Sequence, residues 1–168
     1  MAAGNTYEAI ATQTLGSAAA TVTFSSIPST YTDLVLVMSA IGSSAGSDLR
    51  VQVNSDTASN YSITRLLGYT SVTSNRASNA TYWQLTNSVG VGTTEPTANI
   101  LQFLNYSNTT TNKTVLVRYN QFQSTYSEVA SEVGLWRSTS AISTITFSLS
   151  SGNYATGSTF SLYGIKAA

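Results

Sequence analysis

The sequence predicts an all-β protein, a single jelly-roll-like antiparallel β-sandwich of about ten strands. Three observations predict it. Apolar residues recur at every second position and not at the 3.6-residue period of a helix. Clusters of Gly, Asn and Ser interrupt that alternation at short intervals, and no segment presents a helical apolar face. No internal repeat is visible, which favours a sandwich over a propeller.

Taken in order, strands are expected over residues 6–14, 20–27, 32–41, 48–54, 61–68, 80–86, 98–106, 113–122, 128–137, 142–150 and 158–166. Val22 and Phe24 alternate with Thr21, Thr23 and Ser25, and Leu49, Val51 and Val53 alternate with Arg50, Gln52 and Asn54, so each strand turns one apolar face to a core. Val115, Val117 and Tyr119 repeat the pattern, as do Ile145, Phe147 and Leu149. Leu34 to Met38 is apolar on both sides, which marks a central strand covered on both faces, in a sandwich centre or at a subunit contact. Turn-forming connections fall at Gly42 to Ser47, Gly90 to Pro96, Asn108 to Asn112 and Ser151 to Gly157. No linker divides the chain, so residues 1–168 read as one domain with one core.

Composition narrows the function classes. Charged residues make up 8% of the chain, with seven acidic and seven basic side chains. The basic residues are scattered singly, whereas a nucleic-acid binder clusters them against phosphates, so nucleic acid is not an expected partner. No apolar run is long enough to span a bilayer, and Met1 to Tyr7 has no signal-peptide character, so no membrane role or standard secretory export is expected. Ser and Thr fill roughly a third of positions, far above average usage. With a net charge of zero, little keeps free chains apart, a condition suited to life inside an assembly.

Catalytic chemistry is thinly supplied. The chain contains no histidine and no cysteine, which excludes Ser-His-Asp and Cys-His arrangements, His-ligated zinc, thiolate sites and disulfides. A glycosidase needs only two carboxylates, and seven are present: Glu8, Asp33, Asp48, Asp56, Glu95, Glu128 and Glu132. Glu128 and Glu132 share a strand face about 13 Å apart at the usual rise per residue, too far for either glycosidase geometry. The acids are therefore read as solvated or turn-capping groups. The segment Asn54 to Asn60 gathers oxygen-bearing side chains around Asp56, but one carboxylate is a poor calcium site, and Asx-turns account for the composition. No enzyme activity, cofactor or metal is expected.

Aromatic residues supply the remaining candidates. Trp83, Trp136, Tyr61, Tyr126 and Tyr154 are candidate glycan or partner contacts, since sugar faces stack on exposed rings in many β-sandwich binding modules. Against this, Trp83 and Trp136 are read as core residues and the tyrosines as rim or intersubunit contacts.

The run YEAIATQTLGSAAATVTFSSIPSTYTDLVLV (Tyr7 to Val37), DLRVQVNSDTASNYS (Asp48 to Ser62) and the closing GSTFSLYGIKAA (Gly157 to Ala168) together resemble small β-sandwich virion structural proteins of tailed bacteriophages, of the head-decoration (cement) or tail-fibre and appendage type. The resemblance spans most of the chain and carries no catalytic motif. It implies a non-enzymatic structural subunit made in the host cytoplasm and displayed on the particle exterior. Implied partners are further copies of the chain, as a homotrimer, and major capsid or tail proteins of the same virion. It also implies an N-terminal hairpin or arm over about residues 1–27, with Phe160 to Lys166 returning to close a sheet. The alternative reading is a carbohydrate-binding, host-adhesion β-sandwich module that contacts a host surface glycan.

Overall fold

The computed structural model describes residues 6–85, 90–123 and 126–166, without the side chains of residues 123 and 126. Twelve strands run in chain order: β1 (Tyr7–Thr14), β2 (Thr21–Phe24), β3 (Asp33–Ala40), β4 (Leu49–Val53), β5 (Tyr61–Gly68), β6 (Val72–Ala80), β7 (Trp83–Leu85), β8 (Thr97–Leu104), β9 (Lys113–Gln123), β10 (Tyr126–Trp136), β11 (Ile145–Leu149) and β12 (Thr159–Ile165). They form an eight-stranded sheet, β1-β12-β3-β8-β9-β10-β5-β6, packed against a four-stranded sheet, β2-β11-β4-β7. Every pairing between these strands is antiparallel.

Eight strands make the jelly roll itself. The set β1-β12-β3-β8 faces β2-β11-β4-β7, and the chain crosses between sheets on leaving β1, β2, β3, β4, β6, β7, β10 and β11. The other four arrive as two hairpins, β5–β6 inserted between β4 and β7, and β9–β10 inserted between β8 and β11. Because β9 continues the sheet from β8 and β10 pairs with β5, the insertions fuse into one extension that doubles the width of the large sheet.

The core lies where the two sheets overlap. Val22, Phe24, Val51, Val53, Ile145 and Phe147 point inward from the small sheet, and Leu34, Leu36, Met38, Leu101, Phe103, Phe160 and Leu162 meet them from the large one. Ring contacts knit the layers together: Phe147 to Phe160 at 5.8 Å between centroids and Trp83 to Phe103 at 6.2 Å. Both pairs span the two sheets.

Two expectations change. The first two strands do not form a hairpin: β1 pairs with β12, placing Tyr7 opposite Ile165, and β2 pairs with β11, placing Phe24 opposite Ile145. The connection between them bonds elsewhere and does not fold back, with Leu15 N–H donating to Ser158 O at 2.9 Å and Ala19 N–H to Tyr154 O at 3.0 Å. The return of Phe160 to Lys166 is as expected, since β12 lies between β1 and β3. β3 sits inside the large sheet with Leu34, Leu36 and Met38 fully buried, but its other face is only partly covered and Val37 is 41% exposed.

β6 lies outside the expected strands. It is an edge strand whose only ladder is to β5, and its residues are exposed on both faces up to Asn79, so no apolar alternation marks it.

Gly134 in β10 shows how closely the layers fit. A Cβ there would stand 2.6 Å from Val115 Cγ1 and 2.7 Å from Trp83 Nε1, and Trp83 is fully buried with no room to retreat. Gly134→Ala should therefore cost about 2 kcal/mol of stability through overpacking, read as a lower midpoint in chemical denaturation; an unchanged midpoint would show that Trp83 can shift.

Candidate functional site

Four of the five aromatic residues nominated from sequence are core residues. Trp83 and Trp136 are buried, as the packing reading has them. Trp83 stacks edge-on against Tyr61 at 5.2 Å and donates through Nε1 to Leu135 O at 3.2 Å. Tyr61 and Tyr154 are also buried, not at a rim, which removes all four from any surface available to a glycan. Burial pushes the Tyr61 phenol up to about 12, against the hydrogen bond it receives from Val53 N–H at 3.2 Å. Tyr154 packs on Phe160 at 5.1 Å, and burial likewise raises its phenol. Tyr126 opens β10, and its side chain lies outside the described residues.

The Asn54 to Asn60 segment is a turn whose carboxylate is fully engaged. Asp56 Oδ1 accepts from Ala58 N–H at 2.8 Å, an Asx-turn, and Oδ2 accepts from Asn60 Nδ2 at 2.9 Å and from Trp136 Nε1 at 2.6 Å. Burial raises the Asp56 carboxyl, but these donors outweigh it and hold the group below the ordinary carboxylate value. Among the described residues no three His, Cys, Asp or Glu side chains gather to hold a metal.

The inserted hairpins reverse the usual placement of polar and apolar groups. On β10, Glu128 and Glu132 face inward at 1% exposure each, while Val129 and Val133 face outward and are 61% and 50% exposed. Two acids expected to be solvated are therefore buried. Glu132 Oε1 lies 3.2 Å from Arg65 Nε on β5, an ion pair without hydrogen-bond alignment, and Arg65 also donates to Gln84 O. Tyr119 on β9 donates its phenol to Glu128 Oε1. Asn99 and Gln121 complete the patch; their amides, Glu128 Oε2 and both Glu132 oxygens have no hydrogen-bond partner among the described residues. Glu128 and Gln121 stand directly opposite across the β9–β10 ladder.

Burial dominates the electrostatics of this patch. It pushes Glu132 up to about 7, only partly opposed by Arg65 and reinforced by Glu128. Asp48, which accepts from Gln84 Nε2 at 2.9 Å, rises to about 6 from burial, offset in part by Arg65 and Arg50. Burial and the bond to Glu128 also raise the Tyr119 phenol. Glu128 and Glu132 are held in the interior, with no open face for a substrate, whereas Asp48 is half-buried.

The opposite face of the same strands is apolar and open. Cross-strand rows run Val35-Gln102-Leu116-Val133, Val37-Ile100-Arg118-Ser131-Leu66 and Ala98-Asn120-Val129-Gly68-Val72. A groove of about 670 Å³ is lined by Leu66, Val72, Ala98, Ile100 and Val129 with Arg118, and a second of about 390 Å³ by Tyr7, Val35, Val37, Ile100 and Leu116, again with Arg118. Sequence reasoning missed this face. Its signal was present: VLVRY (residues 115–119) is apolar at both parities, and EVASEV (residues 128–133) sets both acids at one parity and both valines at the other.

No protein-family model, curated protein or solved structure matches the chain.

Raised carboxyls make stability depend on pH with a definite sign. Below its ordinary value of 4.5, Glu132 is neutral whether the chain is folded or not; between there and about 7, the unfolded chain ionises while the folded one keeps its proton. Stability should fall as pH rises through that window, with Asp48 adding to the loss up to about 6. Melting temperature should drop on the order of 5 °C from pH 4.5 to 7.5. Glu132→Gln, which mimics the protonated acid, should leave the value at pH 4.5 nearly unchanged and flatten the slope above it; an equally steep slope in that variant would place the titrating group elsewhere.

Proposed function

We propose that the protein is a non-enzymatic structural component of a tailed-phage virion, a capsid decoration (cement) or tail-appendage subunit that self-associates as a homotrimer and binds other proteins of the particle exterior. The observation that carries this reading is the open apolar face of the large sheet. Leu66, Ile100, Leu116, Val129 and Val133 are all exposed on it, and soluble monomers seldom leave so continuous an apolar surface uncovered. Broad, shallow surfaces of this kind suit protein partners.

Two further points support it. The jelly roll is a common framework for capsid proteins, an argument by analogy of fold. Glu128 and Glu132 are turned inward, where Glu128 accepts from Tyr119 and Glu132 faces Arg65, which leaves neither open to a substrate.

Light scattering across a concentration series tests the proposal. The expected mass is three times that of the 17.7 kDa chain, and Val129→Asp should reduce it to the monomer without changing the circular dichroism spectrum. A wild-type chain that stays monomeric at the highest concentration and does not bind purified capsid or tail proteins would sink the reading.

A further inference from the structure

The charges left over after internal pairing fall on two separate surfaces. Of the seven carboxylates, Glu8 pairs with Lys166, Asp33 accepts from Asn105 N–H at 2.6 Å, Asp48 from Gln84, Asp56 from three donors, Glu128 from Tyr119, and Glu132 faces Arg65. Glu95 remains, exposed and with no partner among the described residues. Of the cations, Arg50 lies over the Tyr82 ring at 4.6 Å, Lys113 donates to Thr111 O and Thr139 O, and Arg137 donates to Ser59 O, Ser62 and Asn79. Arg76 and Arg118 have no such partner among the described residues, and the strand registers place both on the outer face of the large sheet.

Arg118 is the more telling of the two. It lines both grooves of the apolar face, with Ile100 and Ser131 as its cross-strand neighbours. The three rows of that face carry no carboxylate. Within those rows Arg118 has no acid to pair with, so a two-fold contact made by the rows alone would bury it uncompensated. The neutralising charge has to come from a different surface.

Glu95 offers it on a rigid mount. The turn from Gly92 to Thr97 is closed by Gly92 N–H donating to Thr97 Oγ1 at 2.8 Å, while Gly92 O accepts from Gly42 N–H at 2.8 Å. Residues 93–96 are all exposed, so this tip projects one carboxylate beside Pro96. It lies three positions before Ala98, at the end of β8 where the larger groove begins.

On the self-association proposed above, we infer that Glu95 of one copy seats in the groove of a second copy and pairs there with Arg118, so that the copies join head to tail. A contact between two unlike surfaces can close into a ring of three, whereas a two-fold contact pairs copies only in twos. A guanidinium enclosed by Ile100, Leu66 and Val129 would be shielded from water, so this pair matters more than an exposed one.

Sedimentation equilibrium on the full chain tests the inference with Glu95→Arg, Arg118→Glu and the double variant, each checked for an unchanged circular dichroism spectrum. Either single reversal should weaken self-association on the order of tenfold or more, and the double variant should recover most of that loss. Glu95→Gln and Arg118→Gln, which carry no reversed charge, should each weaken it less. Wild-type-like association in both reversals, with Val129→Asp still dissociating the oligomer, would overturn the head-to-tail pairing and leave the assembly reading standing. Reversals that weaken association without rescue in the double variant would also overturn the pairing. A monomeric wild type would overturn both.

Discussion

The parity of β10 governs the extension. Trp136 points inward because its indole donates to Asp56 in the β4–β5 turn, and Gly134 points inward because the Trp83 ring occupies the space a side chain would take. In a strand those two positions fix every other one. Ala130, Glu132 and Glu128 must then face inward, and Val133 and Val129 must face out. One tryptophan bonded to a turn and one glycine under a ring thus bury two carboxylates and expose a row of valines.

Sheet width decides what that parity meets. The small sheet has four strands and the large sheet eight, so the jelly-roll half of the large sheet is covered by apolar side chains and the extension is not covered by a second sheet of equal width. Leu67, Tyr119 and Ala130 form an apolar cluster of their own, separate from the main core. Around it the structure relies on polar contacts: Arg65 with Glu132, Tyr119 with Glu128, and Gln84 with Asp48. Such contacts add little stability, since desolvating the charges offsets much of the attraction between them.

The sequence makes the jelly roll readable because its strands are covered on one face by a second sheet. β4 and β11 show the strict alternation that such burial imposes, and their expected positions match. β6 escaped notice since nothing covers either face of it, and the β1–β2 hairpin was misplaced because pairing of distant strands leaves no local mark. The candidate surface was harder still. Glu128 and Glu132 read as solvated acids under any rule based on residue type, and only the contacts of Trp136 and Gly134, several residues away, reverse that assignment.

The two inserted hairpins also bear on how the chain reaches its fold. β5 with β6, and β9 with β10, are joined across a few residues, so their ladders close at small entropic cost, whereas β1 must find β12 across nearly the whole chain. The extension can therefore zip up early, while the jelly roll behind it waits for its most distant strands. Its apolar outer face is on display throughout that interval. The surface best suited to assembly is thus also the one most exposed to premature aggregation during synthesis.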